Sequence, residues 1–263
     1  MKRNLRAFLI HFFAISLFVI AALAFFTPVL QGKVIYQSDI AQYTGMAKEQ
    51  TDFKKQTGDE PYWTNSAFGG MPTYQLGARY PHNYVKQLDL ALRFLPRPAD
   101  YLFLYLLGFY ILLSCLKVDY RLAVLGALAF GFSTYLIIIL GVGHNAKAHA
   151  LAYLPMLLGG ILLVFRKKYV WGFMLTALAM ALEINANHYQ MTYYFMLLVL
   201  ILGIVYLVDS IKQKQLKHYF TSVGILIVAV VLGIATNATS LMATKEYADW
   251  STRGKSELTI TPD

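Results

Sequence analysis

The sequence predicts an all-α polytopic membrane protein with about seven transmembrane helices and a long outer first loop containing amphipathic juxtamembrane helices. Three observations predict it. Of the 263 residues, 57% are hydrophobic and 14% charged, against roughly 45–50% and 25% in soluble domains. Mean hydropathy is +0.50. Apolar runs of spanning length also recur along the chain, and a hydrocarbon core of about 30 Å needs roughly 20 such residues in a helix.

Seven segments qualify, over 8–30, 99–116, 122–142, 150–165, 170–184, 190–208 and 219–240. The first follows the basic opening MKRNLR. Ala22, Leu23 and Ala24 imitate a signal-peptide cleavage site, but Phe25 and Phe26 carry the apolar run past it, so the segment reads as an uncleaved span. The stretch from Val170 to Val208 is too long for one helix, and its polar centre, Glu183 to Gln190, supplies the break. The fourth and fifth spans are short and are expected to extend into neighbouring loop residues.

Orientation follows from lysine and arginine placement. With the N-terminus cytoplasmic, the inner segments hold Lys2, Arg3, Arg6, Lys117, Arg121, Arg166, Lys167, Lys168, Lys212, Lys214 and Lys217. The two short outer turns, 143–149 and 185–189, hold only Lys147, so the ratio is eleven to one. The net charge of +9 therefore belongs with membrane lipid headgroups, and no nucleic-acid partner is expected. The single cysteine, Cys115, lies in an apolar run and offers neither a disulfide framework nor a cysteine metal site.

A module over 1–240 then has its long loop, 31–98, outside, and 241–263 opens a further extracytoplasmic loop. In the long loop SDIAQYTGMAKEQTDFKKQ is helical, with Ser38 as N-cap and Ile40, Tyr43, Met46 and Ala47 on one face. The Gly-, Pro- and aromatic-rich stretch PYWTNSAFGGMPTYQLG follows as an ordered loop. Next, PHNYVKQLDLALRFLP is an amphipathic helix, with Tyr84, Leu88, Ala91, Leu92 and Leu95 as its apolar stripe and Lys86 and Asp89 opposed. It is expected to lie along the membrane plane.

Three polar patches fall on the outer side. Asp39, nine residues beyond Leu30, can accept a proton from an attacking hydroxyl, hold a divalent cation, or simply favour a helix N-terminus. In GHNAKAH, His144 and Lys147 are spaced i, i+3 and Asn145 and His149 i, i+4. A turn has no need of two histidines and a lysine, whereas an oxyanion or phosphate cradle does. In EINANHYQ, Glu183 sits between two apolar spans, where a lipid-facing charge is costly, so it is expected to face a wet cavity or a partner. Asn187, His188 and Gln190 add donors and acceptors suited to sugar hydroxyls or a phosphate. The histidines follow no metal-binding spacing, leaving cofactors unknown and a divalent cation open. His11, within the first span, reads as a snorkelling or bundle-facing residue rather than a ligand.

The segment 36–77, with its SDI and W-x-N-x-x-x-G-G-x-P-x-Y patterns, resembles the YfhO family of bacterial membrane proteins, particularly Bacteroidetes-type members. GHNAKAHALAYLP, EINANHYQMTYY and YADWSTRGKSELT agree with it. That family is similar to the GT-C glycosyltransferase superfamily. The resemblance implies a seven-span module in the bacterial inner membrane. It also implies sugar transfer from a polyprenyl-phosphate donor to a cell-envelope glycopolymer or protein acceptor. Asp39 would match the family's first-loop carboxylate, as general base or metal ligand. Carry-over to His144, Lys147, His149, Glu183 and His188 rests mainly on their shared side. Family members are much longer, so an N-terminal fragment is expected. The alternative reading is a non-catalytic transporter or flippase for lipid-linked intermediates, which would place polar groups near mid-membrane on broken helices.

Overall fold

The computed structural model describes residues 2–251. In chain order the helices are α1 (Lys2–Phe25), a short α2 (Thr27–Leu30), α3 (Ser38–Met46) and α4 (Lys48–Thr57). A two-stranded antiparallel pair, β1 (Trp63–Thr64) and β2 (Met71–Pro72), leads into a 3-10 turn at Thr73–Leu76. The chain continues through α5 (Tyr84–Leu92), α6 (Ala99–Cys115), α7 (Tyr120–Gly131), α8 (Thr134–Val142), α9 (Asn145–Phe165) and α10 (Tyr169–Asn185). It closes with α11 (Tyr189–Lys212), α12 (Leu216–Ala235) and α13 (Ala238–Asp249). Among the described residues the protein is therefore predominantly helical, with a single two-stranded pair.

Among the described residues, four helices are long and apolar enough to cross a membrane: Leu5–Phe25 of α1, α9, α11 and α12. A fifth span results if α7 and α8, bent by 48° at their junction, are counted together. The sequence reads 122–142 as one span. The bend falls where Gly131 ends α7 and Ser133 adopts extended backbone, a small-residue pair of the sort that breaks helices. Helices α6 and α10 have 17 residues each, below the roughly 20 a full crossing takes. Long apolar surfaces stay uncovered; on α11 these include Leu200, Ile201, Ile204 and Val205. A soluble monomer rarely exposes so large an apolar patch, whereas lipid covers one at no cost.

The chain divides into two compact units. One comprises the residues up to Gln37 together with Tyr84–Thr236; the other comprises Ser38–Asn83 and the residues from Asn237 onward. The long loop is thus shared between them, and the predicted 219–240 span ends at Ala235, with α13 beginning three residues later. The rest of the expected final loop, beyond residue 251, lies outside the described residues.

In the first unit α6, α9 and α10 form the core, with α1 and α7 packed on α6 and α12 on α10. Small residues let the backbones approach, as in membrane bundles generally. A Cβ on Gly160 of α9 would stand 2.7 Å from the Thr176 nitrogen of α10, and one on Gly172 would stand 2.7 Å from the Val164 nitrogen. Gly108 of α6 would meet the Ala152 carbonyl of α9 at 2.3 Å. Three connections, α6–α7, α9–α10 and α11–α12, share one turn. Lys117, Lys167 and Lys214 take left-handed φ near +60°. Each following amide bonds back five residues, to Leu113, Leu163 and Ser210, the pattern that closes orphan helix carbonyls. Glycine is the usual occupant; lysine there places three cations at one end of the bundle.

In the second unit the predicted face on Tyr43, Met46 and Ala47 meets the Gly-rich segment. Met46 packs on Ala67, Met71 and Leu76, and the Tyr43 hydroxyl donates to the Leu76 carbonyl at 3.0 Å. The predicted 38–56 helix is interrupted at Ala47, which separates α3 from α4.

Candidate functional site

The two ends of the first unit differ in chemistry. At one end Arg166 donates to the Cys115 carbonyl at 2.9 Å. His218 Nε2 donates to the Phe165 carbonyl at 2.9 Å, so its Nδ1 accepts from the Tyr169 hydroxyl at 2.8 Å. This end gathers the lysine turns. His11 is exposed but reaches α6, its Nδ1 2.9 Å from the Tyr110 hydroxyl. At the other end Gln37 Nε2 donates to the Leu140 carbonyl at 2.5 Å, and Gly143 turns the chain with φ +92°. A Cβ there would meet Gln37 at 2.8 Å.

That second end brings two of the three predicted patches together. Ala150 of α9 packs with Ala186 and Met191 on either side of the α10–α11 turn, and His188 lies within electrostatic reach of Lys147 and His144. The expected helix does begin at Asn145, with His144 at the N-cap. His144 and Asn187 are exposed, Asn187 holding left-handed φ in the turn. Lys147 Nζ rests 5.2 Å from the Tyr135 ring centroid, and Gln190 donates to the Tyr194 hydroxyl at 2.8 Å.

Glu183 is fully buried and faces a partner, as expected: its Oε1 accepts from Thr192 at 2.8 Å. Its Oε2, together with Asn145 Nδ2 and His188 Nδ1, is buried with no hydrogen-bond partner among the described residues. Buried polar atoms are overwhelmingly paired, and each exception costs about 1–3 kcal/mol. Three such atoms come from the start of α9, the last turn of α10 and the α10–α11 turn.

His149 corrects the expectation of an open histidine cradle. It is buried, donating from Nε2 to Asp89. Asp89 corrects another: expected on the outward polar face of α5, it is completely buried. It also accepts from the Tyr153 hydroxyl at 3.0 Å, from Arg93 Nη2 at 2.9 Å and from Lys86 at 3.2 Å. Arg93 reaches on to Asp100 at 3.3 Å and to the Tyr101 hydroxyl at 3.3 Å. The helix is amphipathic in the opposite sense from a soluble one. Tyr84 and Leu88 of its apolar stripe are exposed while Asp89 and Arg93 point into protein. Burial pushes the Asp89 carboxyl up, but the hydrogen bonds and charges of His149, Arg93 and Lys86 outweigh it and hold the group well below the usual carboxylate range. In the sequence Asp89 and Arg93 are an i, i+4 pair, a spacing that exposed helix faces use equally, so it does not by itself disclose the burial.

Asp39 belongs to the second unit, half-buried in the first turn of α3. There Glu49 Oε2 accepts from the Thr64 hydroxyl and from the Asn65 and Ser66 amides at 3.0 and 2.9 Å. Trp63 Nε1 donates to Asn65 Oδ1 at 3.0 Å, and a Cβ on Gly70 would stand 2.8 Å from the Trp63 ring. The W-x-N-x-x-x-G-G-x-P pattern is thus one built turn, with Trp63 paired to Pro72. Hydrogen bonds from Thr64 and Ser66 hold the Glu49 carboxyl below its ordinary value. A depressed carboxyl contributes above its unfolded value and is lost as pH falls through the folded one. Amide exchange at Asn65 and Ser66 should therefore accelerate, beyond intrinsic rates, as pH enters the acidic carboxylate range. Glu49→Gln should abolish that dependence; an unchanged pH profile in this variant would remove Glu49 from the role.

No three His, Cys, Asp or Glu side chains converge among the described residues, so the divalent cation left open by the sequence finds no ready ligand set and no step is assigned to one. Compared with protein-family models, curated proteins and solved structures, the chain matches none of them significantly.

Proposed function

We propose that this chain forms the membrane module of a glycosyltransferase of the GT-C kind, similar to YfhO proteins. It would move a sugar from a polyprenyl-phosphate donor to a cell-envelope glycopolymer or protein acceptor. The observation that carries the reading is the junction of α9, α10 and α11, where Glu183 Oε2, Asn145 Nδ2 and His188 Nδ1 are buried without hydrogen-bond partners among the described residues and His188 lies within electrostatic reach of Lys147 and His144. A sugar hydroxyl both donates and accepts, so it can serve a carboxylate and an amide together. Lys147 and His144 supply donors for a carrier phosphate at the mouth. Asp39 is assigned the acceptor hydroxyl, as the resemblance implies.

On this reading α6 and α10 also cross the bilayer, at the short end of the roughly 17–25-residue range, giving seven spans. Positive-inside placement puts the lysine turns in the cytoplasm and the polar junction outside, in the bacterial inner membrane. One feature favours the second reading, a flippase for lipid-linked intermediates: the 48° bend between α7 and α8, since broken helices mark transport sites. Labelled polyprenyl-phosphate sugars separate the two in vesicles containing the protein and envelope acceptor. Label moving from lipid to acceptor, and falling with Glu183→Gln, supports the transferase. Label that stays lipid-linked but changes leaflet supports transport and overturns it.

A further inference from the structure

The basic end of the first unit holds a feature that neither reading uses. Helices α1 and α7 leave a groove of about 410 Å³ between them, within the roughly 300–1,000 Å³ typical of ligand sites. Its walls are apolar, with Leu9, Phe13 and Leu17 on α1 and Val124 on α7; Arg6 and Tyr120 line its end. The Tyr120 hydroxyl accepts from Arg121 Nε at 3.1 Å, and the Arg121 guanidinium carbon lies 5.5 Å from the Tyr120 ring centroid. One guanidinium and a phenol thus line one mouth of an otherwise apolar slot, with a second guanidinium, that of Arg121, bonded to the phenol. Arg6 to Leu17 spans eleven residues, roughly 16 Å of helix, the scale of an acyl chain.

We propose that this groove binds one anionic phospholipid, its acyl chain lying along α1 and α7 and its phosphate met by Arg6, Arg121 and Tyr120. Charge selects the occupant. A zwitterionic lipid carries its own ammonium to the mouth, where two arginines repel it; a phosphatidylglycerol brings a net negative charge. Basic pockets between transmembrane helices on the cytoplasmic side hold anionic headgroups in this way, and arginine binds phosphate oxygens in a bidentate fork. The site differs from the proposed catalytic junction in place and ligand, lying at the opposite end of the bundle.

The test is native mass spectrometry of the full chain in detergent, with equal palmitoyl-oleoyl phosphatidylglycerol and phosphatidylcholine. Retained phosphatidylglycerol should exceed phosphatidylcholine by roughly fivefold or more, the scale of one arginine near a lipid surface. Arg6→Ala with Arg121→Ala should bring the two lipids to parity. Leu9→Trp, which fills the slot from its lipid-facing side and leaves both arginines in place, should lower total retained lipid. Lys167→Ala with Lys168→Ala, cations at the same end but outside the groove, should change nothing. Equal retention of the two lipids by the parent chain overturns the proposal. So does a lysine variant that acts like the arginine one. If Leu9→Trp proves unstable, the arginine and lysine pairs decide the matter between them.

Discussion

Replacing Asp89 by alanine is expected to lower the stability of the first unit by about 3–5 kcal/mol, the range for removing one partner of a buried ion pair. The size follows from what is left behind. His149, Tyr153 and Arg93 all direct hydrogen bonds at this carboxylate, and none is placed to reach water once it is gone. Arg93 keeps Asp100, so the loss falls short of a wholly orphaned guanidinium. The consequence is local before it is global. Helix α5 loses its bonds to His149 and Tyr153 of α9, and with them an anchor that fixes the orientation of its apolar stripe. Thermal unfolding in detergent reads the effect directly. Asp52→Ala is the contrast, since that carboxylate meets Lys48 at the surface and its removal should leave the transition unmoved. Equal small shifts for both variants would reduce the Asp89 network to a surface pair.

Asp39→Asn is expected to have the largest catalytic effect. On the transferase reading Asp39 takes the proton from the acceptor hydroxyl, and losing a positioned general base lowers turnover by about 10²–10⁴-fold. Asparagine keeps the shape, so expression and membrane insertion should be unchanged. Transfer of label from a polyprenyl-phosphate sugar is the readout. Undiminished transfer by a correctly inserted variant would take the base role from Asp39. Retained donor binding with lost transfer would place the defect in the chemical step.

Element positions were legible because each rests on composition over many residues. The runs at 170–184 and 190–208 became Tyr169–Asn185 and Tyr189–Lys212, since a polar centre in a long apolar stretch has few places to go but a turn. The 150–165 run grew to Asn145 because the polar turn before it is itself the first turn of α9. What the sequence did not disclose was which polar side chains would be buried. Periodicity assigns Asp89 to a polar face, but a polar face is outward only when water lies beyond it. Beside a membrane bundle the apolar stripe can face lipid, and the charged face then turns inward to find partners. His149 shows the same limit. Its spacing from Asn145 set it on a face, while Asp89, sixty residues away, decided what it touched. The pairing of 144–149 with 183–190 was legible from span parity alone, because antiparallel neighbours bring alternate turns to one end.

That parity is most directly tested by cysteine labelling in a Cys115→Ser background. Single variants His144→Cys and Gln190→Cys report the polar junction; Lys168→Cys and Gln213→Cys report the lysine turns, and all four positions are exposed. A membrane-impermeant maleimide applied to intact cells should modify the first two and reach the second two only after permeabilisation. Labelling of residues 144 and 190 from opposite sides, or of both only in permeabilised cells, would contradict an extracytoplasmic site at the α9–α10–α11 junction.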